Sequence, residues 1–473
     1  MFLQYFPRIS PNLPHQNPLR PVKFTYSNSK IIAMDLPVDD QLRLLQNFGW
    51  IEVWDAIFYD WWSIRTSFSI LLGFVLALFL YWVHYVPVNW TKDLTEVGYE
   101  FLTKNRRKES KIQAINRARK LRKTTNDHMP PPFPNGWFAI AESYDVKRNE
   151  VIDVSCLGQH FAVFRTESGD AHVLDAYCPH LGANIAVGGT VRGDCIECPF
   201  HQWAFRGSDG QCVNAAYSSS DTAFKNTKLK KWISNEINGA IFIWHHAEGE
   251  DPWHIPLVKE IETEEWIYQG RNEFLINCHI QEIPENGADN AHLIAVHGPN
   301  VLTGSDLRFT RASWATFLNH WWDASWRSST NPNEKHIATA ILEHSTRLFN
   351  KLELHHLDVQ ANQIGPAYVQ LVVTSTFGLV AILQTVTPVE PLVQKVIHRF
   401  YSPRKCGFFT KFMIWAESVM FERDMMVWNH KVYLHSPCLL KEDRNIKLYR
   451  AWYSQFYSEN SKTFAEAKDS MEW

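Results

Sequence analysis

Residues 178–203 read CPHLGANIAVGGTVRGDCIECPFHQW. Cys178 and His180 are separated by one residue, Cys198 and His201 by two, and seventeen residues lie between the two halves. Each half offers one soft thiolate and one imidazole on its own tight loop. Gly182, Gly188, Gly189 and Gly193 let the backbone wrap closely around what the loops hold. A [2Fe–2S] centre with both thiolates on one iron and both imidazoles on the other needs this donor set. Neutral imidazole donates less charge than thiolate, so the reduced cluster is favoured and its potential rises. Tetrahedral zinc is the rival for a Cys₂His₂ set. Zinc fingers usually keep the two Cys in one half and the two His in the other, whereas both halves are mixed here. Cys195 and Cys198 also form a C-x-x-C, but a thioredoxin-like pair wants a following helix in a βαβ unit. Cys195 is read as a packed bystander.

Around this run the chain alternates in short apolar stretches: Trp137–Ile140, Val151–Val154, Phe161–Arg165, His172–Asp175 and Ala240–Trp244. Turn residues separate them, so a small antiparallel β domain is expected, ending near residue 248. On its N-terminal side, Pro130-Pro131-Pro132-Phe133-Pro134 breaks all periodicity and marks a stiff linker. On its C-terminal side, Ile283–Val296 and Gly407–Tyr433 read as helices, and Tyr368–Val373 and Leu379–Val386 as strands with a buried face. The fold class expected is α+β.

Residues 285–297 read ENGADNAHLIAVH. Asp289 and His292 are three apart and share a helix face. His292 and His297 are five apart, about 140° around an ideal helix, so both reach one metal only if the helix breaks between them. Two imidazoles and one carboxylate with open positions make the facial triad of non-haem iron oxygenases. The carboxylate must come from elsewhere. Asp424, on an otherwise apolar C-terminal helix where an unpaired acid is costly to bury, is the choice, with Glu422 in reserve.

Of the 473 residues, 45% are hydrophobic and 21% charged, and the net charge is −3, which gives no reason to expect nucleic acid. Eight cysteines in a chain this long do not make a secreted disulfide framework. Ser67–Val86 carries no Asp, Glu, Lys or Arg and is long enough to span a bilayer. Trp61, Trp62, Trp82 and Tyr85 sit where an aromatic belt would. Arg65 is the only close basic residue on its N-terminal side, whereas Lys92, Lys104, Arg106, Arg107, Lys108 and Lys111 follow it, so the C-terminal portion is expected in the cytosol, with the endoplasmic reticulum as the membrane. That orientation keeps the Asn89-Trp90-Thr91 sequon away from lumenal glycosylation. Residues 92–125 read as a basic juxtamembrane helix able to meet anionic head groups. The first 34 residues lack acids and contain five prolines; they read as a tail rather than a transit peptide. The expected divisions are an N-terminal segment 1–65, a transmembrane helix 66–87, a basic helix and linker 88–133, the cluster domain 134–248, a catalytic domain 249–443 and a tail 444–473.

The two motifs together resemble the Rieske oxygenase α-subunit family over residues 134–440. With the N-terminal helix, PPPFPNGWF, CPHLGANIAVGG, DCIECPFH and ENGADNAHL…VH, the chain is similar to the Neverland family of sterol 7-desaturases. The resemblance implies a Rieske β domain followed by a helix-grip-like α/β domain with mononuclear iron, and conversion of cholesterol to 7-dehydrocholesterol with O₂ and NAD(P)H-derived electrons. A related steroid hydroxylase and a non-catalytic Rieske electron carrier are the competing functions; the carrier leaves Asp289, His292 and His297 unexplained. No nicotinamide or flavin fingerprint is visible, so a separate reductase is implied. The resemblance also implies a head-to-tail homotrimer in which Asp289, matching the family's bridging carboxylate, accepts from the ring N–H of His292 and reaches His201 or His180 of the next subunit. The plainer role for Asp289 is to cap or orient the helix. Glu285 and Asn286 are expected to support the ligands from behind. Gln202 departs from the family pattern, where glycine usually follows the second histidine.

Overall fold

A computed structural model describes residues 50–99, 110–120, 129–219 and 224–470. The N-terminal tail and the basic stretches 100–109 and 121–128 lie outside the described residues. The described residues fall into two compact units, divided between Leu76 and Ala77. Helix α1 (Trp50–Tyr85) contains the stretch Ser63–Tyr85, which is long and apolar enough to cross a membrane. It begins earlier than the apolar run alone suggests and ends one residue sooner.

After Pro87 the chain does not continue as a helix. Val88–Lys92 is a strand, β1, and among the described residues of the basic region Lys111–Lys120 is helical (α2). The β domain follows: β2 (Gly136–Glu142), β3 (Val151–Cys156), β4 (Gln159–Arg165), β5 (Ala171–Asp175), β6 (Thr190–Arg192), β7 (Cys195–Glu197), β8 (Trp203–Arg206), β9 (Cys212–Ala215), β10 (Ser234–Ile237) and β11 (Ala240–His245). They pair antiparallel in three small sheets, β10-β11-β2, β3-β4-β5 and β6-β7-β8-β9. One cluster loop joins β5 to β6, from the second sheet to the third, and the other joins β7 to β8 within the third.

The second half contains a short helix α3 (Lys259–Glu262), β12 (Ile267–Ile276), two short helices α4 (Glu282–Glu285) and α5 (Asn290–Val296), and then β13 (Leu318–Ser328), β14 (Ile337–Leu348), β15 (Leu352–Ile364), β16 (Tyr368–Ser375), β17 (Gly378–Glu390) and β18 (Val393–Ser402). These strands make one sheet in the order β1-β12-β18-β17-β16-β15-β14-β13, antiparallel throughout except at the β1–β12 edge. The long helix α6 (Gly407–Trp428) packs on β12 and β18, and Ile414, Phe421, Met425 and Trp428 bury its inner face. Residues 444–470 are not a loose tail. Helix α7 (Arg444–Tyr453) and the 3₁₀ turn after it bring Tyr449, Tyr453 and Phe456 into the core beside β13, and α8 (Phe464–Asp469) buries Phe464 and Ala467.

The β domain is fastened to the large sheet. Phe138 and Phe161 share one apolar core with Phe274 and Phe421. Across the seam Arg399 of β18 grips Glu142 of β2 with two guanidinium N–H groups, one at 2.6 Å, and both residues are buried. A bidentate pair satisfies both charges where water cannot.

Candidate metal centres

The cluster loops are two copies of one device. Cys178 N–H donates to Ala183 O at 2.8 Å and Gly182 N–H returns to Cys178 O at 2.8 Å; Cys198 N–H donates to Trp203 O at 2.8 Å and Gln202 N–H returns to Cys198 O at 3.0 Å. Each loop closes four residues after its cysteine through a left-handed residue, Gly182 at φ +73° and Gln202 at φ +59°. That is why glycine suits position 202: glutamine makes the same turn at a steric cost. The two thiols are buried side by side, and burial, reinforced by the Cys198 sulfur, pushes the Cys178 thiol up to about 11. Two thiolates here therefore need a cation between them. The His180 and His201 rings lie 4.7 Å apart, and His180 Nδ1 is buried with no hydrogen-bond partner. Trp203 stacks flat on His180 at 4.7 Å and the Tyr217 hydroxyl lies 3.4 Å from its Nε2, which leaves Nδ1 for a metal. The residues fit a [2Fe–2S] cluster. Cys195 turns to Asp194 Oδ1 at 3.3 Å, and burial with that carboxylate holds its thiol at about 12.

The second centre depends on a broken helix. Residues 283–296 are not one helix: α4 tightens into a 3₁₀ turn over Asn286–Ala288, Asp289 is extended at φ −102°, ψ 92°, and α5 starts afresh. His297 is the C-cap of α5, outside its regular turns. The break lets both rings face one point, with centroids 5.2 Å apart. Asp424 of α6 completes it: the donor atoms of His292, His297 and Asp424 all lie within 4.8 Å of one another, with His297 Nε2 at 3.1 Å from Asp424 Oδ2. Burial lowers the His292 pKa, opposed by Asp424, and a neutral ring is what a metal requires. Glu422, one face away, accepts from Ser418 at 3.2 Å and does not join the triad.

Asp289 behaves differently from the expected carboxylate–imidazole contact. Its Oδ1 accepts from the main-chain N–H of His292 at 3.1 Å, capping α5, and its main-chain carbonyl, not its carboxylate, takes the His292 ring Nδ1. The carbonyl contact fixes the ring with Nδ1 on the main chain and leaves Nε2 for a metal. Glu285 is held by Arg450 of α7 at 2.6 and 2.9 Å, and Asn286 gives its carbonyl to Asp289 N–H at 3.1 Å. They brace the segment that carries His292 and His297 rather than touch those side chains.

Residues 136–231 match the Rieske [2Fe–2S] domain, and 243–457 match the 3-ketosteroid 9α-hydroxylase C-terminal domain. The chain is 46% identical to cholesterol 7-desaturase nvd of Drosophila melanogaster over 86% of this chain and 96% of that one, and 42% identical to the Xenopus laevis protein over 86% and 89%. The chain belongs to the cholesterol 7-desaturase family. In fold it is similar to the Pseudomonas putida CBB5 NdmA QL mutant with theobromine, at a TM-score of 0.50 and 14% identity over 67% of this chain and 89% of that one. It is thus a Rieske-type oxidoreductase with a [2Fe–2S] domain and a mixed α/β fold.

This cholesterol 7-desaturase family member has a further residue that sequence reasoning passed over. Arg423, beside Asp424 and wholly buried, donates to the carbonyls of Val296, Pro299, Asn300 and Gly304 at 3.1, 2.9, 2.9 and 3.0 Å. It ties the chain leaving His297 to the helix carrying Asp424. The only trace in the sequence is the acid-base-acid run 422–424 on an apolar helix. A buried imidazole pair was missed too: His320 Nδ1 and His344 Nε2 lie 2.8 Å apart, and burial drives them to about 4 and about 2, so both are neutral. Trp322 stands between this pair and His297, 4.2 Å from the His344 ring and 6.4 Å from that of His297.

Proposed function

We propose that this chain desaturates a sterol, converting cholesterol to 7-dehydrocholesterol, with a [2Fe–2S] cluster on Cys178, His180, Cys198 and His201 and a mononuclear iron on His292, His297 and Asp424. The observation that carries this reading is the 4.8 Å convergence of two histidines and an acid in a chain with mixed Cys/His cluster loops. When bound, the two groups supply one-electron transfer and O₂ activation at open coordination positions. The hydrogens lost from C7 and C8 of the sterol, with two electrons and a proton from NAD(P)H and one proton from solvent, reduce O₂ to water. The chain's own part is to hold His292 through the Asp289 carbonyl, to favour the neutral form of that ring by burial, and to lock the geometry through Arg423. The electrons come from a separate reductase. Leu181, Val187, Phe200 and Tyr217 are exposed around the cluster loops, which supports a head-to-tail trimer that sets Asp289 against His201 or His180 of the next subunit. Ser63–Tyr85 supports a single-pass anchor, placed in the endoplasmic reticulum with the catalytic part cytosolic by the flanking charge.

The match of residues 243–457 to a hydroxylase domain favours one second reading, insertion of oxygen into the same C–H bond. Microsomes containing the chain, a reductase, NAD(P)H and labelled cholesterol decide between them. The expected product is labelled 7-dehydrocholesterol, absent with His297→Ala; a 7-hydroxysterol would assign the second reading.

A further inference from the structure

The register of the large sheet gathers four connections at one end. β1 starts with Val88 opposite Gly270 near the start of β12, and Ile267 lies opposite Ser402 at the end of β18. The β16–β17 turn, where Ser375 meets Gly378, and the β14–β15 turn, where Leu348 meets Leu352, lie at the same end because every intervening pair is antiparallel. So do the exit from α1 and the start of α6. From α6 to the β14–β15 turn this end crosses four strand spacings, about 19 Å.

The exit from α1 is fastened there. Val83 is buried, His84 Nδ1 meets Arg404 O at 2.9 Å, Lys411 Nζ donates to Val86 O at 2.7 Å, and the Arg404 guanidinium lies 4.5 Å from the centre of the Tyr85 ring. Only Val86 and Pro87 separate α1 from β1. Two extended residues reach about 7 Å, so this end of the sheet lies within a head-group layer of wherever α1 emerges.

The side chains at this end are apolar where turns are usually polar. Phe349, Leu352, Leu354, Phe377, Phe408 and Phe412 are all exposed, Phe349 and Phe408 at 66%. Phe349 and Asn350 form the turn with φ of +50° and +59°. Leu348 O accepts from Lys351 N–H at 3.0 Å across them; a turn with two successive residues at positive φ favours Asn or Gly at both places, and a bulky aromatic residue there is an outlier. The strain is kept, and what it gains is a phenyl ring at the tip. Phe377 is likewise held outward, its ring 5.0 Å from His355 and 5.7 Å from Phe409. Exposed Lys351, Arg404 and Lys405 lie among these rings. Apolar tips mixed with cations suit the acyl–phosphate boundary of a bilayer. Behind the Phe349 turn is a cavity of about 380 Å³, with Asn350, Asn319 and His320 on one wall and Ile294, Ala295 and Gly298 of the metal-bearing segment on another.

We propose that this end of the sheet is a bilayer-docking face, which sinks the Phe349, Phe377 and Phe408 tips into the leaflet from which α1 emerges and sets the cavity behind Phe349 against the lipid. The proposal rests on the reading of α1 as a membrane anchor. The test places p-benzoylphenylalanine, one position at a time, at Phe349, Phe377, Leu78 within α1 and Asn333 on the opposite β13–β14 turn. Each full-length variant is irradiated in phosphatidylcholine–phosphatidylserine vesicles after its cluster absorbance is checked, and adducts are identified by mass spectrometry. Lipid adducts at Leu78, Phe349 and Phe377 but not Asn333 are expected. Adducts at Leu78 alone would overturn the docking face and leave the anchor standing. Phe349 or Phe377 adducts to protein, from a second copy or the chain's own N-terminal segment, would overturn it in favour of that occupant. No lipid adduct at Leu78 would overturn the anchor reading, and lipid adducts at the two phenylalanines would then support docking without it.

Discussion

The two candidate metal centres differ in how far apart their donors lie along the chain. All four cluster donors fall within residues 178–201, on the β5–β6 and β7–β8 loops of the small β domain. In the second centre His297 and Asp424 are 127 residues apart, and they meet only after β13 to β18 and α6 have packed. The first site closes through short main-chain hydrogen bonds inside each loop. The second is held by side chains reaching between elements, chiefly Arg423. A local site should survive damage to the large sheet, whereas the distributed site should not.

Arg423→Met tests that contrast with the largest effect. Four carbonyls lose their donor together, and at about 1–3 kcal/mol for each buried group left unsatisfied the loss should exceed about 3 kcal/mol even if water enters. Thermal unfolding should shift strongly downward and mononuclear iron should be lost, while the Rieske paramagnetic signal of the remaining folded protein persists. Arg423→Lys should not restore iron, since an ammonium group cannot reproduce the planar fork. Normal iron content in Arg423→Met would show that the triad does not depend on the clamp.

The next effect in size is at Asp289. Asn is as good an N-cap as Asp, and the His292 ring leans on the main chain, so Asp289→Asn should retain both metals. If the carboxylate carries electrons between subunits, single-turnover oxidation of pre-reduced protein with substrate and O₂ should yield little product. Cluster reoxidation at the wild-type rate with normal product would remove that role. Asp289→Ala, which also loses the cap, should cost about 1 kcal/mol more in stability.

A smaller effect lies at the seam between the two halves. His279 is buried, takes Gln281 N–H on Nδ1 at 3.2 Å and presents Nε2 to the carbonyls of Pro130 and Pro131 at 3.2 and 3.3 Å. Burial lowers its pKa to about 4. The unfolded chain, with an ordinary imidazole near 6.5, binds the proton first as pH falls. The stabilisation is therefore complete above about 6.5 and is lost as pH drops from there towards 4. Urea midpoints compared at pH 7 and pH 5 should fall less in His279→Gln than in wild type; equal falls would place the acid sensitivity elsewhere.

The contrast also explains what could be read in advance. The cluster donors, the strands of the β domain and the α+β class follow from spacing and alternation. His292 and His297 were legible as a pair, and the need for a break was legible from their five-residue spacing. Where the break falls was not, because Asp289 reads equally well as a helix face and as a cap. β1 was hidden because Val88–Lys92 is short, follows an apolar helix and pairs with β12 about 180 residues later. Residues 444–470 could not be placed because their partners, Glu285 and Lys335 among them, lie far back in the chain. Arg423 looks like any helix charge until the four carbonyls converge on it.

The smallest expected effect is at position 202, inside the local site. Gln202→Gly removes a side chain from a left-handed position and should stabilise the cluster loop by about 1 kcal/mol, with the cluster spectrum unchanged. A large spectral change would mean that the Gln202 side chain itself matters to the cluster.

The separation of the two centres is tested most directly by counting iron per chain in wild type, Asp424→Ala and His201→Ala, alongside the Rieske paramagnetic signal. Wild type should hold the two cluster irons and one mononuclear iron. Asp424→Ala should lose only the mononuclear iron and keep the full signal, and His201→Ala should lose the signal and keep the mononuclear iron. Loss of both metals in Asp424→Ala, or retention of its mononuclear iron, would contradict the account of one local and one distributed site.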